Sequence, residues 1–330
     1  MSEIGLGAAP LGNLYQPVTE EDAQETLASA LAADVTYVDC APYYGFGLCE
    51  RRVGDGVRGR NDVVVSSKVG RVLVPAPEVL DDSERYGFRS SMPFTPAFDY
   101  SYDGVMRSWE ASLQRLGLAR IDILYVHDIG AVTHGEAHQQ RLLQLTKQGG
   151  LRALELLRSG GEIDAFGLGV NEIDVCLSLL READLDVILL AGRYTLLEQA
   201  ALDELMPECA RRDVSLVIGG PYNSGILATG TRGAHMPRFN YEGAPTHVIE
   251  KVRRLEDVCE RHGVPLPAAA LQFALAHPQV ASVIPGLSGR AQVEQTLELY
   301  RERIPSVFWE ELKSRRLIRQ EAPVPESKAS

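Results

Sequence analysis

The sequence predicts an α/β fold, a single (β/α)8 TIM barrel, and three observations support that prediction. Eight short apolar runs alternate with amphipathic stretches along most of the 330 residues. These strand-then-helix units occupy about 280 residues, and a barrel of this kind typically needs about 250. Ionisable residues follow three of the runs, where such barrels place their catalytic groups. We expect the barrel to fill residues 1–320 and residues 321–330 to form a flexible tail.

The predicted strands are mostly apolar along their whole length rather than alternating. Continuous apolar runs are typical of parallel strands that are covered on both faces. In order, the runs are residues 4–7, 36–39, 63–66, 121–126, 165–170, 187–191, 215–219 and 281–284.

The stretches between and after these runs have apolar residues at helical spacing. The predicted helices are residues 21–33, 48–57, 102–116, 151–159, 173–182, 201–211, 248–262, 267–276 and 290–303.

Two long loops interrupt the alternation of predicted strands and helices, one after the third strand and one after the seventh. Residues 71–100 are rich in Pro, Phe and Tyr. The second loop, residues 229–245, contains His235, Met236, Phe239 and Tyr241. Long loops in compact domains are often lids or binding loops, so we expect both to form substrate walls.

Composition restricts the class of partner. The formal net charge of −12 argues against nucleic acid or an anionic membrane as a partner. Apolar runs stay shorter than the ~18 residues that span a bilayer, and the N-terminus lacks the pattern of a secretion signal. Five scattered cysteines without a CxxC pair favour a reducing cytosol over a disulfide framework or a zinc site. We therefore expect a cytoplasmic protein that binds a small molecule and no metal; the oligomeric state stays open.

Four residues near the ends of apolar runs suit acid–base chemistry. Asp39 ends the second run and precedes Tyr44, while Lys68 and His127 follow the third and fourth runs. A tyrosine alone is a poor base, because its ordinary pKa is about 10. A nearby Lys68 ammonium would favour the phenolate, and Asp39 would keep that ammonium charged. With His127 to orient a substrate oxygen, the set predicts proton transfer at a carbonyl or carbinol oxygen.

Four motifs in the same order resemble the aldo-keto reductase superfamily. They are GLGAAPLGN at residues 5–13, DCAPYYG at 39–45, SSKVG at 66–70 and LYVHD at 124–128. The resemblance implies a barrel that binds a nicotinamide dinucleotide without a Rossmann domain. It also implies a catalytic tetrad of Asp39, Tyr44, Lys68 and His127, with Tyr44 as the acid–base group.

The resemblance further implies cofactor-binding positions in three later segments. In GLGVNE, Asn171 matches a residue that binds the carboxamide. IGGPYNSGIL matches a loop near the pyrophosphate through Gly219, Gly220, Pro221, Tyr222, Asn223, Ser224, Gly225 and Leu227. VIPGLSGRAQVEQT contributes Pro285, Gly286, Ser288, Gln292 and Gln295. Two positions depart from the pattern: Gly219 replaces the aromatic residue that usually stacks on the nicotinamide, and Ala191 replaces a common Gln.

The last segment also predicts NAD rather than NADP as cofactor. Relatives that prefer NADP place a Lys and an Arg where this chain has Gly286 and Gln292. A 2′-phosphate needs charge-assisted donors, so losing both cations favours a plain ribose hydroxyl. Arg290 lies one turn away and could compensate in part.

The substrate is expected from a narrower resemblance. APLGNLY, DCAPYYGFGLCERRVG, FDYSYDGVMRSWEASLQRLG and GGPYNSGIL resemble the sugar 1-dehydrogenases of the D-threo-aldose (L-fucose or L-galactose) type, with pyridoxal 4-dehydrogenase as a near relative. This implies oxidation of an aldose of the L-fucose, L-galactose or D-arabinose type at C1 to the lactone, with Tyr44 as general base. Pyridoxal oxidation, NADPH-dependent aldehyde reduction and a non-catalytic nucleotide-sensing role stay open. The candidate substrate contacts are Tyr15, Phe94, Phe98, Trp109, Arg71, His127, Asp128 and Arg193.

Overall fold

The computed structural model describes residues 1–79, 81–233, 236–240 and 242–326. Within these ranges the strands are, in chain order, β1 (Leu6–Gly7), β2 (Tyr37–Asp39), β3 (Val64–Val69), β4 (Arg71–Pro75), β5 (Phe94–Phe98), β6 (Ile123–His127), β7 (Ala165–Val170), β8 (Val187–Ala191), β9 (Ser215–Gly219), β10 (Arg238–Phe239), β11 (Glu242–Gly243) and β12 (Val280–Ile284).

The helices surround the sheet. They are α1 (Glu20–Ala32), α2 (Leu48–Val57), α3 (Tyr102–Leu116), α4 (Ala131–His134), α5 (His138–Thr146), α6 (Gly150–Ser159), α7 (Ile173–Leu180), α8 (Leu205–Arg212), α9 (Ile226–Thr229), α10 (Thr246–His262), α11 (Leu266–Leu275), α12 (Arg290–Arg301) and α13 (Ser306–Ser314). Among the residues described, no helix combines the length and apolar character needed to cross a membrane.

Eight of the strands form one sheet that closes on itself. The order is β1-β2-β3-β6-β7-β8-β9-β12, and the pairings are parallel. The first and last strands meet through hydrogen bonds from Gly5 N to Val283 O (2.9 Å) and from Gly7 N to Pro285 O (3.0 Å). The predicted (β/α)8 barrel is confirmed.

The continuous apolar strands reflect two separate cores. One side of each strand faces the interior of the barrel, where Tyr37, Tyr125 and Leu189 belong to a small buried cluster. The other side faces the helices, where Val38 and Ile188 belong to the large cluster. Because side chains alternate between the faces of a strand, a strand with two buried faces has no polar alternation.

Local signals fix the helix starts that the sequence suggested. Thr19 caps α1 by accepting a hydrogen bond from Asp22 N at 3.0 Å, and Ser101 caps α3 by accepting one from Gly104 N at 3.2 Å. Such caps satisfy backbone donors that have no partner within the helix.

The structure also contains elements that the sequence analysis did not predict. The long loop after β3 folds into an antiparallel hairpin, in which β4 pairs with β5 from Arg71–Phe98 to Pro75–Phe94. The loop after β9 contains the short pair β10–β11. Additional helices are α4, α5, α9 and α13. Ala322, inside the predicted tail, is fully buried; residues 327–330 lie outside the described part of the chain.

Candidate active site

A cavity of about 610 Å³ opens at the carboxyl end of the barrel strands. Strands contribute Lys68, His127, Gly169, Val170, Leu189 and Ala191 to its wall. Loops contribute Tyr43, Tyr44, Asn171 and the segment 84–89 of the hairpin loop. Catalytic groups of TIM barrels lie at this end, so the cavity is the candidate active site.

The structure brings the four residues predicted for proton transfer together. Tyr44, Lys68 and His127 line the cavity, and Asp39 is buried beneath Lys68. Lys68 Nζ donates to Asp39 Oδ2 at 2.6 Å and to Cys40 O at 3.0 Å. Burial, the largest single effect, would lower the pKa of Lys68, but the charges and hydrogen bonds of Asp39 and Tyr44 together outweigh burial and raise that pKa. Lys68 is therefore held as a cation.

Tyr44 is held over Lys68 by a tight turn after β2. Lys68 Nζ lies 4.6 Å from the centroid of the Tyr44 ring. Gly45 has a left-handed φ of 64°, and a Cβ on it would lie 2.5 Å from Gly12 O, so only glycine fits this contact. Burial raises the pKa of Tyr44, while the charge of Lys68 opposes the rise. The net pKa of Tyr44 lies above its ordinary value, and Lys68 is the nearby charge that favours the phenolate.

His127 presents a neutral imidazole on the same wall. Burial lowers the pKa of His127 well below its ordinary value, and the positive charges of Arg71 and Lys68 lower it further. The ring centroids of His127 and Tyr44 are 6.0 Å apart. A neutral imidazole so close to a phenol can hydrogen-bond the oxygen on which the phenol acts.

Arg71 and Asp128 form an ion pair beside His127. Arg71 Nη2 donates to Asp128 Oδ2, and the same carboxylate oxygen lies 3.4 Å from His127 Nε2. The Arg71 guanidinium lies over the Tyr43 ring, 4.0 Å from its centroid. Both members of the pair line the cavity.

A chain of buried hydroxyls supports Asp39 from inside the barrel. Ser66 Oγ donates to Asp39 Oδ1 at 2.7 Å. Because that donation uses the only hydrogen of Ser66, the Tyr37 hydroxyl must donate to Ser66 Oγ, at 3.1 Å. The Tyr125 hydroxyl in turn donates to Tyr37 at 2.9 Å. Each hydroxyl in the chain thus donates to the group nearer Asp39, and this direction stabilises the negative charge of the Asp39 carboxylate.

Aromatic residues of the hairpin loop form one side of the cavity, as the sequence predicted for this loop. Tyr86 and Phe88 line it, and Phe88 packs edge-on against Tyr43 with centroids 5.4 Å apart. Of the candidate substrate contacts, Tyr15, Arg71, His127 and Asp128 line the cavity, but Phe94, Phe98, Trp109 and Arg193 are not among its lining residues.

The second loop is only partly described. Its Arg238 lines the cavity and lies 5.2 Å from the centroid of the Tyr15 ring, whereas Met236 is exposed and Phe239 packs against the core. His235 and Tyr241 lie outside the described residues. The sequence analysis did not single out Tyr43, although it lies within DCAPYYG, or Glu84, Arg89 and Arg238, which reach the cavity only through the path of the two long loops.

The predicted cofactor residues lie on loops at the same end of the barrel. Asn171 and Ala191 line the cavity. Gly219 is buried, and a Cβ on it would lie 3.1 Å from Leu189 and 3.5 Å from Ala191. Gly219 is not among the lining residues, so Leu189 and Ala191 form this part of the cavity wall. Tyr222 does not fill that place, since it packs against the core.

The loop after β9 has an unusual backbone. Gly220, Asn223, Ser224 and Gly225 have positive φ values of 55°, 45°, 61° and 100°. The Asn223 amide is occupied within the protein: it accepts from Thr195 Oγ1 at 2.6 Å and donates to Gly192 O at 3.1 Å. Leu227 is fully buried and Pro221 is buried.

The loop after β12 carries few charges. Pro285 is buried, Gly286 is exposed beside Pro10, and Gln295 is exposed on α12. Gln292 Oε1 accepts from Ser288 N at 3.0 Å. Arg290 Nε donates to Glu294 Oε1 at 2.7 Å, so its charge is already compensated. Across the described ranges, no cluster of His, Cys, Asp and Glu has the arrangement of a metal site.

Comparison with known proteins places this geometry in context. The profile of the Aldo/keto reductase family matches residues 3–316. A pyridoxal 4-dehydrogenase from Microbacterium luteolum is 45% identical, over 96% of this chain and 95% of that protein. A D-threo-aldose 1-dehydrogenase from Pseudomonas sp is 38% identical, over 96% and 94% of the two chains. An L-galactose dehydrogenase from Arabidopsis thaliana is 28% identical, over 90% and 83%.

Solved structures agree on the fold. The holo form of aldo-keto reductase AKR11C1 from Bacillus halodurans superposes with a TM-score of 0.72 at 23% identity, covering 98% of this chain and 94% of that one. A glycerol dehydrogenase, AKR11B4 from Gluconobacter oxydans, gives a TM-score of 0.73 at 19% identity, covering 100% and 95%. Identities this low support the barrel alone.

Proposed function

The chain belongs to the aldo/keto reductase family, and we propose that it is an NAD-dependent dehydrogenase that oxidises an aldose at C1 to the lactone. The aldoses that we expect are of the L-fucose, L-galactose or D-arabinose type. The convergence of Tyr44, Lys68, Asp39 and His127 on one cavity carries the proposal. The 38% identical D-threo-aldose 1-dehydrogenase supports the substrate class.

The residues present fit a nicotinamide dinucleotide. Gly169 and Ala191 line the cavity, Gly169 beside the Lys68 side chain, and they leave space on which a flat ring could lie, while Asn171 would hold its carboxamide. The backbone at Gly225 is open, because a Cβ there would meet nothing within 4 Å. Backbone N–H groups in such left-handed loops suit a pyrophosphate.

The charges of the last loop favour NAD over NADP. Gly286 and Gln292 offer no cation to a 2′-phosphate, and Arg290 is paired with Glu294. A phosphate would therefore have to compete for Arg290 or stay without a charged donor.

Each residue of the tetrad has a distinct part in the proposed reaction. His127 and Tyr44 bind the C1 hydroxyl, and Tyr44 as phenolate removes its proton. Lys68 stabilises the phenolate, while Asp39 keeps Lys68 charged and fixed in direction. When bound, NAD supplies the acceptor for the hydride that leaves C1. The walls hold the sugar in position, and such orientation accounts for much of the rate.

Pyridoxal is the second candidate substrate, and two observations favour it. The 45% identical relative is a pyridoxal 4-dehydrogenase. Tyr43, Tyr86 and Phe88 form an aromatic wall that could pack against a pyridine ring. Pyridoxal forms an internal hemiacetal, so its oxidation removes the same hydrogens, from carbon and hydroxyl, as oxidation of an aldose ring.

NADH formation tests the proposal. The purified protein is assayed with NAD and with NADP against L-fucose, L-galactose, D-arabinose and pyridoxal. Tyr44→Phe should lower kcat by about 100-fold or more while leaving the Kd for NAD nearly unchanged. Tyr300→Phe, a tyrosine on α12 that does not line the cavity, is the matched control and should retain kcat. No turnover of any of these compounds by the unmodified protein would refute the proposed function.

A further inference from the structure

We propose that Arg71 and Asp128 form a subsite that recognises a hydroxyl on the carbon next to the one that is oxidised. This inference rests on the proposed function, because it places the reacting hydroxyl at Tyr44 and His127. The subsite would use Arg71 as hydrogen-bond donor and Asp128 as acceptor.

The position of the pair relative to His127 supports this assignment. Asp128 Oδ2 lies 3.4 Å from His127 Nε2, and both groups line the cavity. Two oxygens on neighbouring carbons are separated by roughly one hydrogen-bond length. A substrate whose reacting oxygen binds His127 would therefore bring its neighbouring oxygen to the Arg71–Asp128 pair.

Arg71 has unused hydrogen-bonding capacity although it is buried. Its side chain is only 6% exposed, and a guanidinium has five N–H donors. Nη2 donates to Asp128, but within the described chain Nε is buried without a partner. A buried cation without its full set of partners is costly, and a ligand hydroxyl that binds a guanidinium N–H facing the cavity would lower that cost.

The pair is also held rigidly. The Arg71 guanidinium lies 4.0 Å from the centroid of the Tyr43 ring, which fixes its plane. Asp128 has a left-handed φ of 44°, an unfavourable conformation for a residue other than glycine. Its backbone N–H donates to Gly169 O at 2.9 Å, which stabilises that conformation. Strained residues are concentrated at functional sites, and here the strain directs a carboxylate beside His127.

The same chemistry occurs in both candidate substrates. In an aldose ring, the hydroxyl next to C1 is the one on C2. In pyridoxal, the corresponding group is the phenolic hydroxyl, which lies one carbon further from the oxidised carbon but whose oxygen is also roughly one hydrogen-bond length from the reacting oxygen. Either group can accept from Arg71, and the neutral forms can donate to Asp128.

Two matched substrate pairs test the inference. D-arabinose and 2-deoxy-D-ribose differ only in the hydroxyl at C2, and pyridoxal and 3-deoxypyridoxal differ only in the phenolic hydroxyl. For the pair that the enzyme uses, kcat/KM should be about 100-fold lower without the hydroxyl, because the charged pair is then left without its partner. The pair that the enzyme oxidises shows whether the recognised hydroxyl belongs to a sugar or to pyridoxal.

Variants connect that discrimination to the two residues. In Asp128→Asn and Arg71→Lys, the ratio of kcat/KM between the two members of a pair should fall to about 10-fold or less. Asp186→Asn removes a carboxylate from another ion pair, with Arg158 at 2.7 Å, directly before β8 and away from the cavity, and should leave the ratio unchanged.

The outcomes separate the inference from the proposed function. If the unmodified enzyme oxidises both members of a substrate pair with the same kcat/KM, the inference is wrong, whatever the variants show. The inference is also wrong if folded Asp128→Asn and Arg71→Lys proteins retain the full ratio. If the unmodified protein oxidises none of the four compounds of the panel, the proposed function fails and the inference fails with it.

Discussion

Replacing Ser66 with alanine should destabilise the protein more than any other single hydroxyl deletion in the Asp39 network. Ser66 Oγ donates to Asp39 Oδ1 at 2.7 Å and accepts from Tyr37 at 3.1 Å, and Ser66, Tyr37 and Asp39 are all buried. A hydrogen bond to a charged group contributes about 1.5–3 kcal/mol. Without Ser66, the Tyr37 and Tyr125 hydroxyls, 2.9 Å apart, keep their one hydrogen bond, but one of their two hydrogens loses its acceptor, which adds to the cost. We expect a decrease of about 2–3 kcal/mol in the free energy of unfolding.

The further a hydroxyl lies from Asp39 along the chain, the less its removal should lower the free energy of unfolding. Tyr125→Phe removes the last hydroxyl, which no buried carboxylate contacts directly, and should cost about 1 kcal/mol. The matched control is Ser282→Ala, another fully buried serine on a barrel strand. Its hydroxyl donates only to a backbone oxygen, Glu3 O at 3.3 Å, and we expect a cost of about 1 kcal/mol or less.

Urea unfolding followed by circular dichroism measures these differences, provided that the slope of the free energy against urea is the same in all variants. Ser66→Ala should also lower kcat, because a less stabilised Asp39 holds Lys68 charged less firmly. A cost for Ser66→Ala that matches the cost for Ser282→Ala would refute the claim that the hydroxyl chain stabilises the Asp39 carboxylate.

Two further predictions concern the cofactor and pH. Gly286→Lys combined with Gln292→Arg should raise kcat/KM for NADP relative to NAD by about 10-fold or more, since it supplies charged donors for the 2′-phosphate; an unchanged ratio would contradict the assignment of this loop. Burial lowers the pKa of His134 to about 4, so the unfolded chain binds the extra proton between its ordinary pKa of 6.5 and pH 4, and stability falls as pH decreases through that window. Because His134 is only partly buried, we expect a loss of about 1 kcal/mol at pH 5 relative to pH 7.5. His134→Gln should abolish that part of the loss in urea titrations at both pH values, and identical pH profiles for the two proteins would contradict it.

The barrel was predictable because its strands are buried on both faces. Runs such as Val187–Ala191 carry no polar alternation, and the structure places strands at all eight predicted runs. The hairpin β4–β5 escaped prediction because Pro96 interrupts its second strand. Proline is tolerated there, since the hairpin lies outside the barrel sheet and forms its own two-stranded sheet.

The candidate site was predictable where it depends on strand ends. Lys68 and His127 lie on neighbouring parallel strands, so their placement at one end of the barrel follows from topology. The pairing of Arg71 with Asp128, which lie 57 residues apart in the chain, depends on the path of a loop and on a left-handed residue. The Ser66–Tyr37–Tyr125 chain likewise depends on the register of three strands, which apolar patterns alone do not fix.

The closure of the barrel has a consequence for how the chain is made. β1 pairs with β12, so an emerging polypeptide exposes its first strand long before the ribosome has produced the partner at Val280–Ile284. Until then the growing sheet keeps two open edges, which favour association with other chains. A product that terminates before β12 would keep Tyr44, Lys68 and His127 yet would have no closed ring to hold them. Such fragments should aggregate rather than act as smaller enzymes.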